Sequence, residues 1–239
     1  MDSNTVIVRG DGIVGCSAAL ALARLGLPVV LESFGGARSA ADEGGDVRTY
    51  ALNAASVELL RRIRVWDALP ADAACPVQDM LVAGDTGSQL HFSAWEQGVG
   101  QLAWIVDAGA LEGALRQAVQ YAPHVTVRPA PPLSSTVSSA SVPLGVAPSP
   151  AASWAPTAGV LATATDHLLV LCEGRDSQAR EALGVKFERQ PYGHQALATR
   201  VVATKPHQGV ASQWFGQPAV LALLPFDRPV PGSSYGVVW

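Results

Sequence analysis

The stretch "VRGDGIVGCS", from Val8 to Ser17, decides the fold because it spaces Gly10, Gly12 and Gly15 as G-x-G-x-x-G. This spacing is typical of the turn that binds the pyrophosphate of a dinucleotide. The first glycine permits a tight turn, the second lets the backbone approach a phosphate, and the third lets a helix pack closely against a strand. Such a turn also occurs without a ligand, so its surroundings decide the interpretation.

The segments around the glycine turn predict a β-α-β unit. Thr5 to Val8 is a β-branched run typical of a buried strand, Ile13 to Leu25 is rich in Ala and Leu like a helix, and Leu27 to Glu32 is a second strand. Glu32 lies 22 residues after Gly10, where an acidic side chain can accept hydrogen bonds from ribose hydroxyls. The sequence therefore predicts nucleotide binding by an α/β fold.

Composition excludes several other classes of protein. The chain has 239 residues, 49% of them hydrophobic, and a formal net charge of −4, which gives no basic footprint for nucleic acid. Its three cysteines form no C-x-x-C pair and its five histidines are scattered, so no metal site is predicted and a reducing cytoplasm is expected. The apolar run from Gly12 to Leu31 is interrupted by Arg24, Gly26 and Pro28, which argues against a transmembrane helix.

The rest of the chain alternates between helical and strand patterns. Residues 57–69 and 110–120 predict helices, and residues 125–129 and 167–174 predict strands. After Gln190, short apolar runs separated by Pro and Gly predict an antiparallel sheet.

Three further stretches resemble a single family. The segment "GGDVRTYALNAASVELLRRIRVWDAL" (Gly44–Leu69) resembles the region after the second strand in the ubiquinone-biosynthesis hydroxylases, the FAD-dependent aromatic hydroxylases of the UbiH, UbiF and VisC type. The segment "LLVLCEGRDSQAR" (Leu168–Arg180) is similar to their second motif, a strand followed by A-D-G-x-x-S-x-x-R. The segment Tyr192–Trp239 is similar to their substrate-domain strands in order and spacing.

The resemblance implies an α/β fold, with a Rossmann-like FAD-binding domain of the p-hydroxybenzoate-hydroxylase type and an interleaved, incomplete antiparallel substrate sheet. It implies an FAD-binding domain over residues 1–75 and 100–186, and a partial substrate domain over residues 76–99 and 187–239. Residues 129–158 hold seven Pro, seven Ser and seven Ala but no charged residue, and we expect them to form a flexible excursion.

The resemblance also implies cofactor contacts for seven residues. It implies no catalytic side chain and no metal ligand, because in such enzymes the flavin carries the chemistry. Glutamate stands at position 173 where the family motif has aspartate, which keeps the charge and adds a methylene. The seven residues are Gly10, Gly12, Gly15 and Glu32 for the ADP half of FAD, Arg48 for the flavin side, and Glu173 with Gly174 for the pyrophosphate region and NAD(P)H use.

The implied activity is hydroxylation of the aromatic ring of a polyprenyl phenol or quinol in ubiquinone biosynthesis, with FAD as cofactor, NAD(P)H as reductant and O2 as oxidant. A lipid substrate implies a cytoplasmic protein that associates peripherally with the inner membrane or with a biosynthetic complex.

Two alternatives stay open, because the family's third motif, a Gly-Asp pair, has no match in this sequence. One is a truncated, non-catalytic homologue that binds FAD weakly or serves as an accessory partner. The other is an NAD-dependent reductase. In a chain without the family's C-terminal part we also expect exposed apolar surface and self-association.

Overall fold

A computed structural model describes the protein at residues 5–35, 46–132, 168–217 and 219–239. The strands, in chain order, are β1 (Val6–Arg9), β2 (Val29–Ser33), β3 (Thr49–Leu52), β4 (Ala74–Val77), β5 (Asp79–Gly84), β6 (Gln89–Ser93), β7 (Ala103–Asp107), β8 (Val125–Pro129), β9 (Leu168–Leu171), β10 (Ala198–Val202), β11 (Val210–Phe215), β12 (Val220–Phe226) and β13 (Ser234–Val238). The α-helices are α1 (Ile13–Arg24), α2 (Ala54–Arg62), α3 (Ala108–Gln120) and α4 (Gln178–Ala182).

These elements fall into two units that interleave along the chain. The first unit consists of Met1–Gly36 and Ala122–Pro191, and the second of Ala37–Tyr121 and Tyr192–Trp239. The domain boundaries expected from the resemblance divide the chain by what it binds, whereas these units follow contacts within the chain. The expected boundaries therefore stay a prediction.

The first unit is built on a parallel sheet in the strand order β8-β2-β1-β9. Branched and leucine side chains fill both faces of the central strand β2, as shown by the adjacent residues Val30 and Leu31, which lie on opposite faces and are 7% and 1% exposed. The predicted β-α-β unit is confirmed. Because all four strands run in the same direction, their carboxyl ends meet at one edge, where ligands of open α/β sheets bind.

The apolar run from Gly12 to Leu31 divides into α1 and β2, with Gly26 between them at φ 78°. Only a residue tolerant of positive φ ends a helix in this way, which is why the sequence marks this boundary clearly. Among the residues that the structure describes, no helix is both long and apolar enough to span a bilayer.

The second unit contains a six-stranded sheet, β10-β13-β12-β11-β5-β6, and a three-stranded sheet, β3-β7-β4. Neighbouring strands pair antiparallel, as predicted for the C-terminal part, except that β5 and β11 pair in parallel with Asp79 opposite Val210. Val77, Ile105 and Phe226 form the buried core of this unit.

The helix predicted over residues 57–69 is shorter and begins earlier. Its observed form, α2, is capped by Asn53, whose side chain accepts a hydrogen bond from the Ser56 N–H at 2.9 Å. It ends before Arg64, which has a positive φ of 58°. The predicted flexible excursion over residues 129–158 is described only at 129–132, and the remainder lies outside the described residues.

Candidate functional site

Two of the three turn glycines are required by close backbone packing. Gly10 has φ 112°, and a Cβ at this position would lie against the carbonyl oxygen of Cys172. A Cβ on Gly15 would lie against the carbonyl oxygen of Gly10. These contacts press α1 onto the ends of β1 and β9, so both glycines are structural requirements of the turn.

Gly12 differs because the space beside it is open. It is the N-cap of α1 with ordinary extended backbone, φ −75° and ψ −174°, and a Cβ there would meet no atom of the described residues within 4 Å. No side chain in the described part of the chain caps the helix, so its first N–H groups and the positive end of its dipole face this space. The arrangement offers an anion site at the carboxyl edge of the sheet.

Asp11 and Cys16, on either side of Gly12, help to hold the turn. The Ser33 hydroxyl donates to Asp11 Oδ2 at 2.6 Å, which ties the turn to the end of β2. The Cys16 Sγ lies 3.2 Å from the carbonyl oxygen of Asp11, and the residue is 2% exposed. Cys16 is therefore a buried packing residue and not an accessible thiol.

Glu32 lies at the carboxyl end of β2, as predicted, and is engaged by two arginines. Arg9 Nη1 donates to one carboxylate oxygen at 3.0 Å, and Arg128 Nη2 donates to the other at 2.7 Å. Glu32 is 3% exposed, so its charge is compensated within the protein. Arg128 was not predicted as a site residue from the sequence. It is a basic residue at the end of a predicted strand, and the structure places it opposite Glu32 in the sheet register.

Glu173 lies at the other side of the same edge, two residues after the end of β9. Its Oε1 accepts from Arg9 Nε, and its Oε2 accepts from the Ser177 hydroxyl at 2.6 Å and the Ala179 N–H at 3.0 Å. Burial alone would raise the pKa of Glu173, but the hydrogen bonds from Ser177, Ala179 and Arg9 outweigh it and hold the pKa below the ordinary 4.5. The next residue, Gly174, has φ 80° and open space beside it.

Arg48 belongs to the second unit, apart from the six other predicted contact residues. Its guanidinium donates to both oxygens of Asp46, at 2.9 and 2.7 Å, and lies 3.4 Å from Glu112. The hydrogen bond to Asp46 raises the pKa of Arg48 above its ordinary value, so the side chain stays charged. The structure thus orients Arg48 firmly, and its contact with a flavin stays a prediction.

The second unit also brings Cys75, His207 and Asp227 together, with one potential ligand atom from each lying within 4.8 Å of the others. The sequence did not predict this cluster, because its three residues are far apart along the chain. The Gly209 N–H donates to His207 Nδ1 at 3.0 Å, so Nε2 carries the proton and faces Asp227 Oδ1 at 3.3 Å.

This tautomer leaves no imidazole lone pair for a metal ion. Burial raises the pKa of the Cys75 thiol to about 12, which keeps this thiol protonated. The geometry favours a hydrogen-bonded cluster over a metal centre.

Comparison with known proteins agrees with this geometry. The family model described as "FAD binding domain" matches residues 3–230. The ubiquinone hydroxylase UbiL of Rhodospirillum rubrum is 28% identical over 242 residues, covering 98% of this chain and 51% of the relative. The 3-demethoxyubiquinol 3-hydroxylase of Escherichia coli is 36% identical over 124 residues, covering 52% of this chain and 32% of the relative. The chain thus spans about half of the length of the first of these curated relatives and about a third of the second.

Solved structures of low sequence identity share the fold. The p-nitrophenol 4-monooxygenase PnpA of Pseudomonas putida has a TM-score of 0.66 at 16% identity and covers 99% of this chain and 58% of that protein. PqsL of Pseudomonas aeruginosa has a TM-score of 0.65 at 15% identity, covering 98% of this chain and 59% of that protein. The predicted fold class and the predicted resemblance are both confirmed. The chain belongs to the FAD binding domain family.

Proposed function

We propose that this chain binds FAD at the carboxyl edge of the parallel sheet of its first unit. The open space beside Gly12 carries the proposal, because an uncapped helix N-terminus with no atom of the described residues within 4 Å of a Cβ at Gly12 suits a pyrophosphate. Glu32 fits the ribose, since a carboxylate has about four lone-pair sites and the two arginines use one on each oxygen.

The surroundings of Glu32 support the same placement. Arg128 Nε is buried and has no hydrogen-bond partner among the described residues. A buried donor without a partner costs free energy unless something accepts from it, and a nucleotide at this edge offers acceptor atoms. Glu173 and Gly174 complete the edge near the pyrophosphate, and Arg48 is the residue proposed for the flavin side.

The reaction proposed for the whole protein is hydroxylation of an aromatic ring, with O2 as oxidant and NAD(P)H as reductant. Two relatives are named as hydroxylases of ubiquinone or its precursor, which supports a phenol or quinol substrate. When bound, the flavin supplies the redox chemistry, and the chain's own residues hold and orient the cofactor. NAD(P)H oxidation that depends on an added polyprenyl phenol and yields hydroxylated product would support this activity. We also propose peripheral contact with the inner membrane, where such a substrate resides.

The substitution Gly12→Ser tests FAD binding without disturbing the fold. Serine suits the backbone of Gly12, and its hydroxyl can cap α1 by accepting from the N–H groups that would otherwise face the phosphates. We expect an unchanged or higher melting temperature and a loss of FAD affinity of at least about tenfold. Quenching of flavin fluorescence during titration of the apoprotein measures the affinity.

Gly113→Ser is the matched control, because position 113 lies on the exposed face of α3 with open space around it. This variant should bind FAD like the wild type. If Gly12→Ser folds and also retains wild-type FAD affinity, the pyrophosphate does not lie at Gly12 and the proposed site is wrong.

A further inference from the structure

A row of alternating charges crosses the carboxyl edge of the parallel sheet. In strand order, β8 contributes Arg128, β2 contributes Glu32 and β1 contributes Arg9, and Glu173 lies two residues after β9. Arg128 and Arg9 are the sheet-register neighbours of Glu32 on its two sides. Each neighbouring pair in the row forms an ion pair.

Arg9 is the member of the row that joins its two halves. Its side chain is 6% exposed and contacts side chains that are 4% and 5% exposed, Glu32 and Glu173. Its third nitrogen, Nη2, donates to the carbonyl oxygen of Pro131 at 3.1 Å, and its guanidinium lies over the ring of Phe34. A charge buried this deeply must be paired, and every nitrogen of this guanidinium has a partner.

Position 9 ends a strand of branched apolar residues, so an apolar side chain is expected there. Position 173 holds glutamate where the resembling motif has aspartate. These two unexpected residues, Arg9 and Glu173, contact one another. One carboxylate oxygen of Glu173 pairs with Arg9 Nε, and the other accepts hydrogen bonds from the Ser177 hydroxyl and the Ala179 N–H. Arg9 and Glu173 therefore form one ion pair, although 164 positions separate them in the sequence.

We propose that Arg9 is a positioning residue for the ribose of the bound nucleotide, and that Glu173 holds Arg9 in place for this task. Arg9 fixes one oxygen of Glu32, Arg128 fixes the other, and the remaining lone pairs are aimed at the ribose hydroxyls. Without Arg9 the buried carboxylate of Glu32 is free to rotate, and its lone pairs are then no longer held toward the ribose. This inference rests on the proposed binding of FAD.

The test compares ADP with 2′,3′-dideoxy-ADP, which differ only in the ribose hydroxyls. Dissociation constants for both nucleotides and for FAD are measured by titration calorimetry on the wild type and on Arg9→Met, whose unbranched side chain preserves the packing volume. We expect the wild type to prefer ADP by about tenfold, the contribution of hydrogen bonds to a charged group. Arg9→Met should bind the two nucleotides with nearly equal affinity.

If Arg9 had a purely structural role, Arg9→Met would weaken the binding of both nucleotides equally. The ratio of their affinities would then be unchanged in the folded variant. Arg9→Lys keeps the charge but its single amine can pair with only one carboxylate. Its ratio of ADP affinity to dideoxy-ADP affinity should therefore lie between those of the wild type and Arg9→Met. If Arg9→Met does not fold, Arg9→Lys decides the question. Arg62→Met is the matched control, since Arg62 forms an exposed pair with Glu58.

Each remaining result separates the two proposals. An unchanged ratio in Arg9→Met, or in Arg9→Lys where that variant decides, overturns the role of Arg9. If the wild type binds FAD but does not distinguish the two nucleotides, the role of Arg9 is wrong and FAD binding stands. If the wild type binds none of the three ligands, both proposals are wrong.

Discussion

At the residue scale, Gly15 leaves the least room for a side chain in the glycine turn. A methyl group there would lie against the carbonyl oxygen of Gly10, a backbone atom that cannot move without disrupting the end of β1. We expect Gly15→Ala to lower the free energy of unfolding by about 3 kcal/mol. Urea denaturation followed by circular dichroism measures this change.

Gly113→Ala is the same chemical change, but we expect it to stabilise the protein. Gly113 is exposed within α3, with nothing within 4 Å of an added Cβ. Alanine restricts the unfolded chain and favours the helix, so the free energy of unfolding should rise by about 0.5–1 kcal/mol. Equal effects of the two alanine substitutions would contradict the packing described for the turn.

Asp107 combines two roles in the second unit. Its Oδ1 caps α3 by accepting from the Ala110 N–H at 2.7 Å, and its Oδ2 pairs with Arg200 at 3.0 Å. Asp107→Ala removes both and leaves a largely buried arginine charge, so the free energy of unfolding should fall by about 3 kcal/mol. Asp107→Asn keeps the cap and should lose about 1 kcal/mol less. Identical urea midpoints for the two variants would show that the cap contributes nothing.

The packing roles of Gly10 and Gly15 could be predicted from sequence, because the turn is local and its geometry depends on nearby positions. The partners of Arg9 could not. Its contact with Glu173 exists only because β1 lies between β2 and β9, and that strand order is set by the packing of the whole unit. The capping role of Asp107 is local, whereas its pairing with Arg200 depends on the fold of the second unit.

At the element scale, the turn between β9 and α4 should be sensitive to acid. Burial opposes ionisation of Glu173, but its hydrogen bonds from Ser177, Ala179 and Arg9 lower its pKa in the folded state. Such a group stabilises the fold above its unfolded pKa, near 4.5, and this contribution is lost as the pH falls through the lower folded pKa. Between about pH 5 and pH 3, the free energy of unfolding of the wild type should therefore fall.

Glu173→Gln keeps the size of the side chain but cannot lose a charge, so its unfolding free energy should depend less steeply on pH in the same range. Thermal unfolding at a series of pH values compares the two slopes. Asp176→Asn is the control, since Asp176 is exposed although its pKa is also lowered, by a hydrogen bond from Arg189. Parallel curves for wild type and Glu173→Gln would contradict the ion pair with Arg9.

Elements with a clear period or a cap were predicted well, as was the antiparallel pairing of the C-terminal strands. The strands and helix of the β-α-β unit follow the sequence, and α3 begins at Ala108 rather than Ala110 because Asp107 caps it. The parallel pairing of β5 with β11 escaped prediction, because the residues of a strand fix which side chains are buried and do not fix the direction of its partner.

At the scale of the whole molecule, apolar side chains on one face of the six-stranded sheet are exposed beyond the core. In the register of β5, β6 and β11, Leu90, Phe92 and Phe215 share a face with Met80, which packs in the core. They are 60%, 44% and 47% exposed. An exposed cluster of this kind favours association, so we expect the chain to self-associate as its concentration rises.

Sedimentation velocity over a range of concentrations measures this association. Leu90→Glu places a charge at the most exposed of the three positions and should shift the protein toward the monomer. Lys186→Gln, on an exposed segment of the first unit, controls for the change in net charge, since both substitutions lower it by one. A wild type that stays a monodisperse monomer at all concentrations would contradict the prediction.

The central claim is that the glycine turn and the charged edge of the first unit hold FAD. The most direct measurement is the visible absorption spectrum of the purified chain after FAD has been added and the free flavin removed by desalting. The account predicts flavin bands at close to one FAD per chain, reduced in Gly12→Ser. A colourless wild-type protein that is folded by circular dichroism would contradict it.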